Sequence, residues 1–361
     1  MKTLDRYILK QLVVNFIFGI GLFLSILTAS DLIYRLTSLW LKSGLSLVRV
    51  VQIFLWNIPS FLVYIIPMAV LLGSILTTSR LSSDSEVVAL RAAGVSYFRF
   101  TVPFLIFSIW ACSATILIQE TFVPMSAEKL MQLTEGTSLT GLLFQENTFF
   151  REEAGEGVER IFYVRQVNSR EGVLSGVTVQ EYGKEGILRI ISAQEATNQQ
   201  GKWIFRKGIL YEMGPGGEVK RIVRFEREEI SAQQSLQETL QQQKNPREMS
   251  LAQLKGYIER ESAHNKDTTR LELILWQKTA IPFASIVFVL LGVSLGVISP
   301  RSGKGVGIGV SILVVFGYYV LFSVTGVLAE GGVLDPLTGA WFSNLVGGVV
   351  GFLLIFLRER S

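Results

Sequence analysis

Six stretches of the chain carry no Asp, Glu, Lys or Arg: residues 11–30, 50–79, 100–119, 279–300, 305–329 and 336–357. Each is long enough to cross a hydrocarbon layer of ~30 Å as a helix of about 20 residues. A charge at the centre of such a layer costs roughly 2.5–3.5 kcal/mol on insertion scales, so lipid selects for runs like these. The 34 Lys+Arg and 30 Asp+Glu are crowded into the remainder, and the mean of 18% charge over 361 residues describes neither part. A soluble single domain is excluded. A disulfide scaffold is excluded too, because the single cysteine, Cys112, lies inside a gap; with His264 the single histidine, a Cys/His metal site is excluded as well.

Lys2, Arg6 and Lys10 precede the first gap, as in the basic region of a signal sequence. Its apolar run, Leu12 to Ser30, outlasts the roughly 7–15 residues of a cleaved signal and predicts a retained span. Pro59 and Pro67 in the second gap remove backbone donors and predict a tilted or broken span. Gly292-x-x-x-Gly296 and Gly347-x-x-x-Gly351 predict close helix crossings. With the N-terminus inside, Lys2, Arg6, Lys10, Arg80, Arg91, Arg99, Arg301, Lys304, Arg358 and Arg360 are cytoplasmic, against Arg35, Lys42 and Arg49 in the short outer loops. That asymmetry places both termini in the cytoplasm and the long insert outside.

The expected fold class is an α-helical membrane protein with six transmembrane helices, three on each side of an inserted all-β domain. Residues 1–119 hold spans one to three, 120–249 the β domain and its linker, and 250–361 a connecting helix and spans four to six. Within the insert, seven β-favouring runs alternate with turn signals such as Gly214-Pro215-Gly216-Gly217. They begin at Phe149, Ile161, Val173, Ile187, Trp203, Ile209 and Val219, and suggest a sandwich or jelly roll. The domain is either a plain β module or a trough whose apolar interior receives a lipid.

The chain offers no catalytic centre. Gly292-Val293-Ser294-Leu295-Gly296 has the spacing of a nucleophile elbow, but Ser294 needs a base, and His264 lies thirty residues away in a polar segment. Residues 303–309 alternate glycine with other residues, yet fit no phosphate-loop pattern and follow no strand. Between spans two and three, Ser83 and Glu86 stand at capping-box spacing, and Gly94 suits a left-handed helix end. The spacing predicts a short inner helix near 83–93 with Val87, Leu90 and Arg91 along one ridge, either docking into a partner's groove or lying solvated against the membrane.

Pro67 to Gly73, then Leu81-Ser82, then Glu86 to Arg91 and Gly94 with Ser96 resemble the signature of the lipopolysaccharide-export permeases, the F and G subunits of the Lpt exporter (YjgP/YjgQ family). Asp5-Arg6-Tyr7-Ile8, Met249-Ser250-Leu251 with Leu254, Tyr257 and Ile258, and Glu272 to Lys278 with Pro282 resemble other family segments in the same order. The six-span layout extends the resemblance over the whole chain.

The resemblance implies a permease subunit of an ATP-driven exporter that takes lipopolysaccharide from the outer leaflet of the inner membrane. The lipid would then pass along a periplasmic β jelly roll towards the outer membrane. It implies an ABC ATPase dimer carrying ATP and Mg, with no cofactor or metal in this chain. It also implies a second permease, paralogous or identical, a single-span partner, periplasmic β-jelly-roll bridge proteins, and no nucleic acid. Asp84, Glu86, Leu90, Arg91 and Gly94 become the ATPase-coupling element. Phe23, Leu27, Phe316 and Tyr319 would face acyl chains, and Arg35, Lys42 and Arg49 either meet anionic headgroups or merely snorkel. An exporter of the same kind handling another lipid or a lipoprotein is the alternative.

Overall fold

The computed structural model describes residues 2–43, 47–134, 148–153, 159–168, 173–183, 186–199, 202–214, 218–231, 245–263, 267–297 and 304–360. Three helices come first: α1 (Lys2–Ser43), α2 (Leu47–Ser83) and the short α3 (Glu86–Ala92). Helix α4 (Tyr97–Leu117) runs through a π-helical turn (Ile118–Phe122) into α5 (Val123–Thr134). Six strands follow: β1 (Thr148–Glu153), β2 (Glu159–Asn168), β3 (Val173–Gly183), β4 (Gly186–Gln199), β5 (Lys202–Met213) and β6 (Val219–Ser231). The chain ends with α6 (Leu251–Ala263), α7 (Thr269–Gly296), α8 (Lys304–Glu330) and α9 (Pro336–Arg360).

Six segments are long and apolar enough to cross a membrane: Thr3–Ala29, Val51–Ser83, Tyr97–Leu130, Thr269–Gly296, Val306–Glu330 and Pro336–Arg360. They coincide with the charge-free gaps. The chain divides into two compact units, one of Met1–Tyr34, Phe54–Ala127 and Asn245–Ser361, the other of Arg35–Ile53 and Glu128–Lys244.

In the first unit, α2 and α7 are central, with 72% of each apolar window buried, while α1, α8 and α9 bury only 22–28%. Pro59 and Pro67 lie inside α2, which continues unbroken for 37 residues. Of the tilt or break expected there, the break does not occur, because the packing around this central helix holds it through two lost ladder bonds. Gly292 and Gly296 make the α2–α7 crossing. A Cβ on Gly292 would lie 2.8 Å from the Ser74 Cβ, and one on Gly296 2.7 Å from the Thr78 Cβ and 2.8 Å from the Ile75 carbonyl oxygen. Gly347 and Gly351 pack α9 on α7 in the same way, against Val287 and Leu290. The small-residue spacings thus serve the crossings they predicted.

The second unit contains a six-stranded antiparallel sheet in sequential order, β1 to β6. Sequential hairpins make a meander, and the Greek-key connections that define a jelly roll do not occur among the described residues. The runs at Trp203 and Ile209 belong to a single strand, β5, interrupted only by Lys207 at φ 49°. One register row places Phe162, Val179, Ile191, Leu210 and Val223 side by side across five strands. Two positions along on the same face, Gly208 pairs with Phe225 and leaves room for its ring. Alternation slips at Gly176, φ 64°, so Leu174 and Val177, three apart, are both buried in one apolar cluster with Trp203 and Phe205.

Beside that cluster Arg160, Glu181 and Arg189 share another row. Glu181 accepts from Arg160 Nε at 2.6 Å and from Arg189 Nε, and Arg160 also donates to the Ser231 carbonyl at 2.7 Å. Burial pushes the Glu181 carboxyl up, but the hydrogen bonds and charges of the two guanidinium groups outweigh it and hold the group below the ordinary carboxylate range.

Candidate functional site

The loop between the second and third spans folds into α3 at the end of the bundle where both termini of the first unit meet. Its start differs from the capping box expected at Ser83. Helix α2 absorbs Ser83, with the Asp84 amide donating to the Arg80 carbonyl, and α3 begins after Ser85, which sits at φ 60° without a side-chain cap. Its end fits the expectation. Gly94 takes φ 84°, its amide donates to the Arg91 carbonyl, and the Val95 amide donates to that of Leu90, a Schellman closure.

The predicted ridge points inward. Val87 is buried and Leu90 half-buried against the cluster that contains Ile8, Leu12, Val70 and Phe100. Asp84, Val88, Ala89, Ala92 and Gly94 face solvent, and Asp84 pairs with Arg80 at 3.7 Å. Glu86 accepts from the Tyr7 hydroxyl at 2.9 Å. The Arg91 guanidinium donates to the carbonyls of Arg358, at 2.6 Å, and Glu359, at 3.0 Å. Asp5 pairs with Arg99 at 2.7 Å, fastening α1 to the start of α4. The five residues expected to couple to an ATPase thus lie on one inner connection: Glu86 and Arg91 are tied to the bundle by hydrogen bonds, Leu90 by packing, and Asp84 and Gly94 are exposed.

The residues expected to face acyl chains do not form one surface. Phe23, Leu27 and Tyr319 pack in a single cluster with Ile65, Leu72, Phe288 and Tyr318, whereas Phe316 is 67% exposed on α8. The Tyr319 hydroxyl is buried without a hydrogen-bond partner among the described residues. Arg49 is exposed in the first turn of α2, and the side chains of Arg35 and Lys42 lie outside the described residues. Ser294 is buried and its hydroxyl donates to the Leu290 carbonyl at 3.0 Å, which occupies it in its own helix; His264 lies outside the described residues.

Sequence reasoning missed a second polar knot. Lys278 is buried in α7, its Nζ has no hydrogen-bond partner among the described residues, and Glu120 and Glu248 act on it electrostatically. Pro282, four residues on, has no amide to give the Lys278 carbonyl. Gln119, in the π-helical turn, donates to that carbonyl at 2.9 Å. Glu120 accepts from the Leu251 amide at 2.9 Å, closing the start of α6. A proline four residues after a membrane lysine was the available signal.

The family model described as lipopolysaccharide export system permease LptF/LptG matches residues 6–357. The chain is also similar to the lipopolysaccharide export system permease protein LptG of Haemophilus influenzae, 25% identical over 367 residues that cover 96% of each protein. Together with six membrane spans split by a β insert, these matches identify the chain as a multi-pass inner-membrane transport subunit that belongs to the LptF/LptG family of lipopolysaccharide export permeases.

Proposed function

We propose that this permease works in an ATP-driven exporter, with both termini and α3 in the cytoplasm and the β insert in the periplasm. The count of Lys and Arg in the short connections, ten inside against three outside, supports that orientation. The observation that carries the coupling reading is the construction of α3. Seven residues are too few for a stable isolated helix, yet Tyr7, Arg91 and two apolar side chains fix it to the bundle. Such a helix leaves its exposed Val88 and Ala92, with Asp84 in the turn before it, for a cytoplasmic ATPase dimer, which would bind ATP and Mg. Lipopolysaccharide would leave the outer leaflet between this chain and a second permease, paralogous or identical, with a single-span partner as a side gate. It would then pass to the β insert and on to bridge proteins of the same β type. Phe23, Leu27, Phe316, Tyr319 and the basic residues Arg35, Lys42 and Arg49 remain the proposed lipid contacts.

The test is reconstitution of the complex with lipopolysaccharide and a lipoprotein as competing cargo. ATP-dependent release of the glycolipid, lost with Glu86→Ala together with ATPase association, supports the reading. Release of lipoprotein alone, or unchanged association and release in Glu86→Ala, refutes it.

A further inference from the structure

The last turn of α9 makes more contacts to helix ends than any sequence pattern suggests. Helix carbonyls in a final turn have no partner within their own helix, and the C-terminal end carries partial negative charge. Arg91 of α3 answers both needs by donating to two successive carbonyls, of Arg358 and Glu359. The Glu359 carboxylate accepts from the Tyr97 amide at 2.6 Å, and Tyr97 is the first residue of α4, where free amides attract an anion. Arg358 donates to the carbonyl of Val297, which closes α7, at 3.1 Å. The Tyr97 hydroxyl donates to the Val293 carbonyl at 2.9 Å, a second tie between α4 and α7. The ends of α3, α4, α7 and α9 are therefore bound through one turn of chain.

We propose that Arg358 and Glu359 are positioning residues of transport: they pass a displacement of α3 on to α4, α7 and α9, so that work done on the inner helix reaches the membrane spans. This rests on the coupling reading of α3. The bonds involved are charge-assisted and roughly twice as strong as neutral ones, which gives the node stiffness that a packed apolar contact lacks. Val87 and Leu90 seat α3, whereas Arg91, Arg358 and Glu359 join it to the polar ends of the long helices. A merely structural brace would have the same bonds, so the discriminating quantity is the lipid released per ATP hydrolysed.

The experiment uses the complete exporter in liposomes loaded with lipopolysaccharide, and records ATP turnover, lipid release and thermal stability. In Glu359→Ala, ATP turnover and assembly stay near wild type while lipid released per ATP falls several-fold. Glu359→Gln keeps an oxygen that accepts from the Tyr97 amide and recovers most of the ratio. Arg358→Ala, which releases the Val297 carbonyl, lowers the ratio too, and decides the matter if Glu359→Ala fails to assemble. A proportional fall of turnover and release, or an unchanged ratio, overturns the proposal. If the wild-type complex releases no lipid with ATP, the coupling reading fails and takes this proposal with it. If the wild type couples and both alanine variants couple as well, only this proposal fails.

Discussion

Replacing Gln119 with leucine tests the polar knot between the third and fourth spans. The Gln119 amide donates at 2.9 Å to the Lys278 carbonyl, which Pro282 deprives of its helical donor. Gln119 is 3% exposed and Lys278 5%, so water has little access to the carbonyl once the amide is gone. Interhelical hydrogen bonds in membranes average only ~0.6 kcal/mol, because broken partners usually find others. Here the helix offers no other donor, and an unsatisfied buried group costs about 1–3 kcal/mol, so Gln119→Leu is expected to cost about 2 kcal/mol. Pro282→Ala restores an amide four residues after Lys278 and makes the glutamine redundant. In that background Gln119→Leu is expected to cost no more than about 0.5 kcal/mol, a coupling of about 1.5 kcal/mol between the two sites. Reversible unfolding of the four proteins of the cycle in mixed micelles measures it. Equal costs of Gln119→Leu in both backgrounds refute the reasoning.

Leucine at Gly296 has no space at the α2–α7 crossing and is expected to lower stability by about 2–3 kcal/mol, whereas Gly309→Leu, with nothing within 4 Å of its Cβ position, stays near wild type; thermal melting in detergent compares them. Gly94→Ala forces a Cβ into φ 84° at a cost of about 1–2 kcal/mol, seen as faster amide exchange over residues 86–95 with the spans unaffected. The depressed carboxyl of Glu181 contributes stability that is complete at neutral pH and disappears as pH falls through its folded value, below 4.5. Glu181→Gln is expected to destabilise the β insert by about 3 kcal/mol at pH 7 and to flatten this acid dependence, read from the fluorescence of buried Trp203; matching acid profiles in the two proteins argue against it.

The membrane architecture was legible because lipid imposes a penalty that every residue of a span registers locally. The glycine pairs 292/296 and 347/351 were legible for the same reason, each being a spacing on one helix that a partner must accommodate. Local reading failed where a neighbour competed. Ser83 has the spacing of a cap, but α2 extends over it and hands the junction to Ser85. Pro59 and Pro67 allowed a tilt or a break, and the break is absent because α2 is enclosed by other helices. Two apolar runs in the insert, from Trp203 and from Ile209, read as two strands, yet Arg206 and Gly208 on either side of Lys207 pair straight across with both neighbouring strands. The coupling loop was visible as a helix but not as an anchored one. Arg91 and its acceptors are 267 and 268 residues apart, and no periodicity carries information over such a distance.

The crossing of α2 and α7 has a mechanical consequence. Packed helices usually shear by letting interlocked side chains hop between neighbouring grooves, which requires a compressible layer between the backbones. At Gly292 and Gly296 that layer is missing: the α7 backbone rests on Ser74, Thr78 and the carbonyls of α2. Sliding there drives atoms into contact without an intermediate rotamer to relieve them. The two helices, with α9 locked to α7 by equally close contacts at Gly347 and Gly351, are therefore expected to behave as a stator, against which the less enclosed α8 is the freer to turn.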